Sequence, residues 1–220
     1  SKKDKSTVTT TPTDLSDEQP TTVDTSKETS SDTKDDSNSE KSFGLTQKTA
    51  DGTILQCFSW SFNTIKDSLE DIALAGYSTI QTSPVNACYN GGDAGTDLNG
   101  SGKWYYHYQP TDWTIGNYQL GTKEEFKSMC EEADKYGIKV IVDVVPNHTT
   151  KSTEALGEGL LNAVGGIDNL YHKKGKDEVS NYKDRGECTH QAVGGLFDVN
   201  TENIAFQNYF INYMNECIAC

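Results

Sequence analysis

"KVIVDVVPNHTT", residues 139–150, decides how this chain folds. Residues 140–145 are valines and an isoleucine interrupted by Asp143, the pattern of a strand buried on both faces. The run then stops at Pro146, Asn147 and His148. A strand bound for a core thus carries one carboxylate and presents an amide and an imidazole at its tip.

The segments around it have a repeating order. Residues 53–60, TILQCFSW, read as a first strand bounded by Asp51-Gly52. Asn63 is expected to cap a helix in which Ile65, Leu69, Ile72 and Ala73 share one face, and Gly76 to end it. Residues 77–85, YSTIQTSPV, read as a second strand. Thr122 and Glu125 have the spacing of a capping box, followed by Phe126, Met129, Cys130 and Ala133, with Gly137 as the stop. Residues 140–145 are the third strand. Farther on, Asn200 or Thr201 is expected to cap a helix that buries Phe206, Tyr209, Phe210, Tyr213, Met214 and Cys217.

Three strand–helix units predict an α/β fold with a parallel sheet. The turns from helix to strand are short, at 75–77 and 136–138. The loops from strand to helix are long, at 86–120 and 146–200. A (β/α)8 barrel builds its site from the loops at the C-terminal strand ends. A doubly wound sheet also binds ligand there, but no glycine-rich phosphate turn follows the first strand, which disfavours a dinucleotide fold. Asp143, placed inside the third strand near its C-terminal end, and Asn147 and His148 just beyond it, therefore face the functional end. Spacing alone leaves two readings open. These are polar groups at a site, or a core aspartate in an ion pair with two loop residues capping the next segment.

Composition narrows the function classes. The 220 residues suit one or two domains, and the formal net charge is −14. That charge opposes nucleic-acid binding, which needs Lys and Arg to displace counterions, and it suits a neutral substrate such as a sugar. No apolar run reaches the length of a membrane helix. Residues 1–50 are mostly Ser, Thr, Asp, Glu and Lys, with no aromatic before Phe43. They cannot bury enough apolar surface to offset their ordering entropy, so a disordered tether is expected. The chain opens on Ser1 with no signal peptide in view, so its start is expected to have been processed or lost. A Ser/Thr-rich tether of this kind suits a secreted or surface-tethered bacterial protein.

The six cysteines are scattered, unlike a stapled mini-domain, and are expected as small buried apolar residues. Cys217-x-x-Cys220 has no second pair to complete a zinc site. Asp97, Asn99, Ser101 and Gly102 imitate the start of an EF-hand, but the twelfth position is Tyr108 rather than Glu. A flexible glycine-rich loop is expected at 93–102. His107, His172 and His190 show no metal spacing and receive no role.

Four segments, in order, carry a family resemblance. DVVPNHTT resembles the first signature of the α-amylase family of glycoside hydrolases, a strand ending D-x-x-x-N-H. Residues 54–85 resemble that family's first strand, helix and second strand. Residues 104–110, WYYHYQP, resemble the aromatic segment of its substrate cleft. Residues 195–203, GLFDVNTEN, resemble its short signature after the domain inserted behind strand three. Together the resemblance covers about residues 51–220.

The resemblance implies a partial (β/α)8 barrel of three βα units. Barrel would occupy 51–148 and 198–220, and the inserted domain 149–197. It implies a calcium ion held by Asn147, by the Asp198 carboxylate and by a main-chain carbonyl near Thr189, pinning the inserted domain to the barrel. Calcium takes six to eight oxygen ligands of these kinds. It implies that His148 hydrogen-bonds sugar hydroxyls, that Tyr108 stacks under the sugar ring, and that Tyr105 and Gln109 line the cleft. An aromatic ring suits the apolar C–H face of a pyranose. Asp143 would support the cleft floor and pair with an arginine of the next strand.

The implied activity is retaining, endo-acting hydrolysis of α-1,4-glucosidic bonds in starch or maltooligosaccharides. The expected state is a monomer. The family's nucleophile lies in a G-F-R-x-D segment at strand four, and its acid lies farther on. Both are expected beyond Cys220, so the chain reads as the N-terminal part of such an enzyme, with no catalytic carboxylate of its own. A glucan transferase or cyclodextrin hydrolase of the same family, or a non-catalytic sugar-binding surface protein, is the alternative.

Overall fold

A computed structural model describes residues 43–91 and 103–220. Residues 1–42 of the tether expected at 1–50, and the glycine-rich loop expected at 93–102, lie outside them. Strand β1 (Ile54–Cys57), helix α1 (Phe62–Leu74), strand β2 (Thr79–Thr82), and a small antiparallel pair of β3 (Asn86–Cys88) with β4 (Pro110–Ile115) come first. Helix α2 (Lys123–Lys135) and strand β5 (Lys139–Val142) follow. Then come β6 (His148–Thr149), short helices α3 (Glu158–Val164), α4 (Ile167–Leu170) and α5 (Arg185–His190), strand β7 (Phe197–Asp198) and helix α6 (Ile204–Ala219).

The three strands read from the sequence form one parallel sheet in the order β1-β2-β5, with Ile80 opposite both Leu55 and Val140. All three are shorter than their apolar runs. The first stops at Cys57 because Ser59 takes a positive φ of 58°, a turn unusual for a side-chain-bearing residue. The Ser59 amide donates to the Ser83 hydroxyl at 2.9 Å, which ties that turn to the end of β2. The third strand ends at Val142. Asp143 therefore sits one residue past the strand, a correction to its placement inside it. Residues 139–142 are half-buried rather than buried, because β5 is an edge strand of the three.

The helix ends follow local chemistry. Ser61, not Asn63, caps α1, because its hydroxyl accepts from the Thr64 amide at 3.1 Å. Asn63 instead donates to Glu125 at 2.7 Å, reaching across to α2. Thr122 and Glu125 form the expected capping box. Gly76 and Gly137 end α1 and α2 with φ of 86° and 72°, where a Cβ would be strained. Asn203, not Asn200 or Thr201, caps α6, with its side chain accepting from the Ala205 amide.

Phe62, Ile65, Leu69, Ile72 and Ala73 of α1 are buried against Phe126, Met129 and Ala133 of α2, with the Phe62 and Phe126 rings 5.2 Å apart. Helix α6 buries Phe206 against Trp113 of β4, ring centroids 4.9 Å apart, so the loop between β2 and α2 is structured where a plain loop was expected. The folded part also starts earlier than residue 51. Phe43 packs on Tyr136 with ring centroids 5.5 Å apart, and residues 49–51 form a 3-10 turn. All six cysteines are free thiols. Cys57 is fully buried and Cys188 is exposed, which corrects the expectation for the latter.

Candidate functional site

The end of β5 and the aromatic segment meet. Residues 104–108 form a 3-10 turn that leads directly into β4. That turn places the Tyr108 hydroxyl 3.0 Å from the Asp143 carboxylate, to which it donates. Burial, together with the neighbouring Asp143 charge, pushes the Tyr108 phenol up to about 12. The His148 ring donates from Nε2 to the Tyr108 carbonyl at 2.9 Å, since a carbonyl can only accept. Its Nδ1 then faces the Asn147 amide at 3.4 Å. Desolvation lowers the His148 pKa, partly offset by the Tyr108 carbonyl and by Asp198. Gln109 accepts a 3.4 Å hydrogen bond from Thr150 on the other side of the same junction. Behind it, the Trp113 indole donates to the Val145 carbonyl at 3.1 Å and fixes the strand tip to β4.

These contacts bring Tyr108, Gln109, Asp143 and His148 to one place. Tyr105 stands beside them, 42% exposed, in edge contact with Trp104. Trp104, itself 50% exposed, also meets the Tyr108 ring edge-on at 6.3 Å. Phe58 lies 6.1 Å from Trp104 on the outside of the Ser59 turn. Phe58 thus widens the aromatic surface beyond the segment singled out in the sequence. Among the described residues Asp143 accepts the Tyr108 hydroxyl, and the arginine expected from the next strand falls outside them.

Two of the calcium candidates lie at the pair of β6 and β7, Asn147 just before β6 and Asp198 in β7; the two strands run antiparallel with His148 opposite Asp198. The Val199 amide donates to the Asn147 carbonyl at 3.0 Å, so the two ends of the long segment after β5 are laced together. Asp198 is 4% exposed, and burial raises its carboxyl pKa. Its partner is His172, whose Nδ1 lies 2.5 Å from Oδ2. Thr189 sits in the last turn of α5, where carbonyls have no intrahelical donor. Its hydroxyl donates to the Arg185 carbonyl at 2.8 Å. An almost fully buried carboxylate, an amide just before the facing strand and a helix-end carbonyl are hard oxygen donors, the chemistry calcium takes. His172 and His190 are the residues the sequence concealed. Eighteen positions separate them, and their rings lie 4.4 Å apart.

Residues 30–186 match the family model described as alpha amylase, catalytic domain. An alpha-amylase of Butyrivibrio fibrisolvens is 55% identical over 169 residues, which are 76% of this chain and 17% of that protein. An alpha-amylase of Clostridium acetobutylicum is 38% identical over 179 residues, 79% of this chain and 22% of that one. The chain thus spans about a fifth of the length of these relatives. The crystal structure of alpha-amylase I from Eisenia fetida has the same fold over 76% of this chain and 35% of its own, with a TM-score of 0.63 at 21% identity. Another structure of that Eisenia fetida enzyme is a maltohexaose complex. By its catalytic-domain match and these relatives, the chain belongs to the alpha-amylase family.

Proposed function

We propose that the protein containing this chain is an endo-acting α-1,4-glucan hydrolase, and that residues 104–110 with Asp143 and His148 form one wall of its sugar cleft. The observation that carries this reading is the double tie at Tyr108, whose hydroxyl meets Asp143 and whose carbonyl meets His148. It holds an aromatic ring, an imidazole and a carboxylate together at the C-terminal end of a parallel sheet, where α/β folds bind ligand. Tyr108 and its exposed neighbours Trp104 and Tyr105 offer ring faces to a pyranose. His148, held neutral by burial, keeps Nδ1 as an acceptor for a sugar hydroxyl, which would take over the long Asn147 contact.

The two carboxylates of a retaining cleavage are assigned to segments outside residues 1–220. Asp143 receives neither role, since its carboxylate accepts the Tyr108 hydroxyl and supports the wall. In the complete barrel, the strands after β5 would cover Val140, Val142 and Val144 and complete the cleft. Calcium, held by Asn147, Asp198 and the Thr189 carbonyl, would supply a fixed charge that clips the segment after β5 to the sheet. Asp198 presents a buried carboxylate, β6 and β7 hold the two ends together, and Thr189 lies in the last turn of α5.

The test is incubation of the full-length protein with amylose. Rapid loss of chain length with little reducing sugar, and products released first as the α-anomer, support the proposal. Release of the β-anomer would refute retention. Cyclic or lengthened products would make the protein a transferase, and no release would leave a sugar-binding protein.

A further inference from the structure

We infer that His172, His190 and Glu202 form a site for a zinc-class divalent cation, separate from the proposed calcium ligands and beside them. One ligand atom from each of the three residues lies within 4.8 Å of the others. The two histidines are arranged as metal-bound imidazoles are, with one ring nitrogen held and the other left over. His172 gives Nδ1 to the Asp198 carboxylate. His190 gives Nδ1 to the Gly186 carbonyl at 3.1 Å and to the Thr189 hydroxyl at 2.7 Å. These contacts fix both tautomers with a lone pair on Nε2.

The buried member supplies the second indication. The His172 side chain is 10% exposed, and its Nε2 has no hydrogen-bond partner. A buried nitrogen left in that state costs free energy unless something meets it. His190 Nε2 lies 4.0 Å from a Glu202 carboxylate oxygen, and that side chain is 78% exposed, free to swing inward. Tetrahedral zinc at about 2.0–2.1 Å from its ligands spaces them by roughly 3.3 Å, so closing the cluster takes about an ångström of movement. Two imidazoles and a carboxylate suit zinc, whereas calcium takes oxygens.

Both histidines line an open pocket of about 580 Å³, ample for the ion and a fourth, water ligand. Lys173 and Lys174 also line it, opposed by Asp184 and Glu187. The ion would join α5 to the loop just after α4 and to the turn after β7, three points of the segment that follows β5. Its role is to brace that segment. The Asp198 carboxylate can serve both ions, one oxygen toward His172 and the other toward calcium.

Titration of the calcium-saturated full-length protein with zinc chloride tests the site. The wild type is expected to bind one zinc, and His190→Ala and Glu202→Gln are each expected to weaken that binding at least tenfold. His172→Ala is avoided, because it also strips the buried Asp198 of its partner. Both chosen variants should keep the wild-type response of melting temperature to calcium, which shows that they fold. Cobalt(II) in place of zinc should give the visible absorption of a tetrahedral N/O site in wild type and lose it in both variants. No zinc uptake by wild type, or uptake unchanged in both variants, overturns the inference.

Discussion

The Tyr108 hydroxyl donates to the Asp143 carboxylate across 35 positions of sequence, at 3.0 Å. This bond joins the end of the third parallel strand to the aromatic turn before β4, and it sets where the Tyr108 ring stands. Ring and hydroxyl make separable contributions. Tyr108→Phe keeps the ring and should hold kcat/KM on amylose within about fivefold, since one hydrogen bond contributes roughly 1 kcal/mol. Tyr108→Ala removes both and should cost about ten- to two-hundred-fold. Equal losses in the two variants would show that the ring face is not what the sugar meets.

The same bond predicts an alkaline limit. The Tyr108 phenol in the folded protein is raised to about 12 from an ordinary value near 10. Its neutral form is favoured by folding, so the contribution is complete below pH 10 and is lost as pH rises toward 12. Tyr108→Phe should therefore show a shallower fall in stability across that window than wild type. Parallel curves for the two proteins in denaturant titrations at pH 9 to 12 would contradict the assignment.

Removal of metal tests the clip between β6 and β7. In full-length protein, excess EDTA should lower the melting temperature by several degrees, and calcium should restore it. Asp198→Asn should abolish most of that response. A melting temperature unchanged in protein shown to be calcium-free would exclude Asn147 and Asp198 as a shared calcium site.

The capping box at α2 gives a stability prediction independent of ligand. Thr122→Ala removes the acceptor for the Glu125 amide, a 3.2 Å bond, and should cost about 1 kcal/mol in unfolding free energy. Glu125→Ala should cost more than a cap alone, because that carboxylate also holds Asn63 of α1 at 2.7 Å. Denaturant midpoints measure both, and an inverted order would refute the bridging role.

Sequence periodicity marked all three parallel strands, because two-sided burial leaves continuous apolar runs. The ends were misplaced for local reasons. The Ser59 turn and the edge position of β5 shorten strands that apolar character alone would extend. Ser61 won the cap from Asn63 because an arm from α2, Glu125, engages the asparagine, and no window of α1 contains that residue. The tip at Asn147 and His148 was legible, since polar groups ending a buried run demand an explanation. The pairing of His172 with Asp198 was not. It depends on the path of the chain across the 26 positions that separate them, and neither residue carries a spacing signal. Phe58 was likewise hidden, because its outward exposure beside Trp104 follows from the turn at Ser59.

The most direct test of the cleft is the kcat/KM of full-length His148→Ala on amylose, beside a wild-type control of equal thermal stability. His148 touches Tyr108 and lies opposite Asp198, so in the proposed function it serves both the sugar wall and the end of the clip. The account predicts a fall of about five- to two-hundred-fold, the effect of losing a desolvated hydrogen bond of roughly 1–3 kcal/mol. Wild-type kinetics in a folded His148→Ala protein would contradict it.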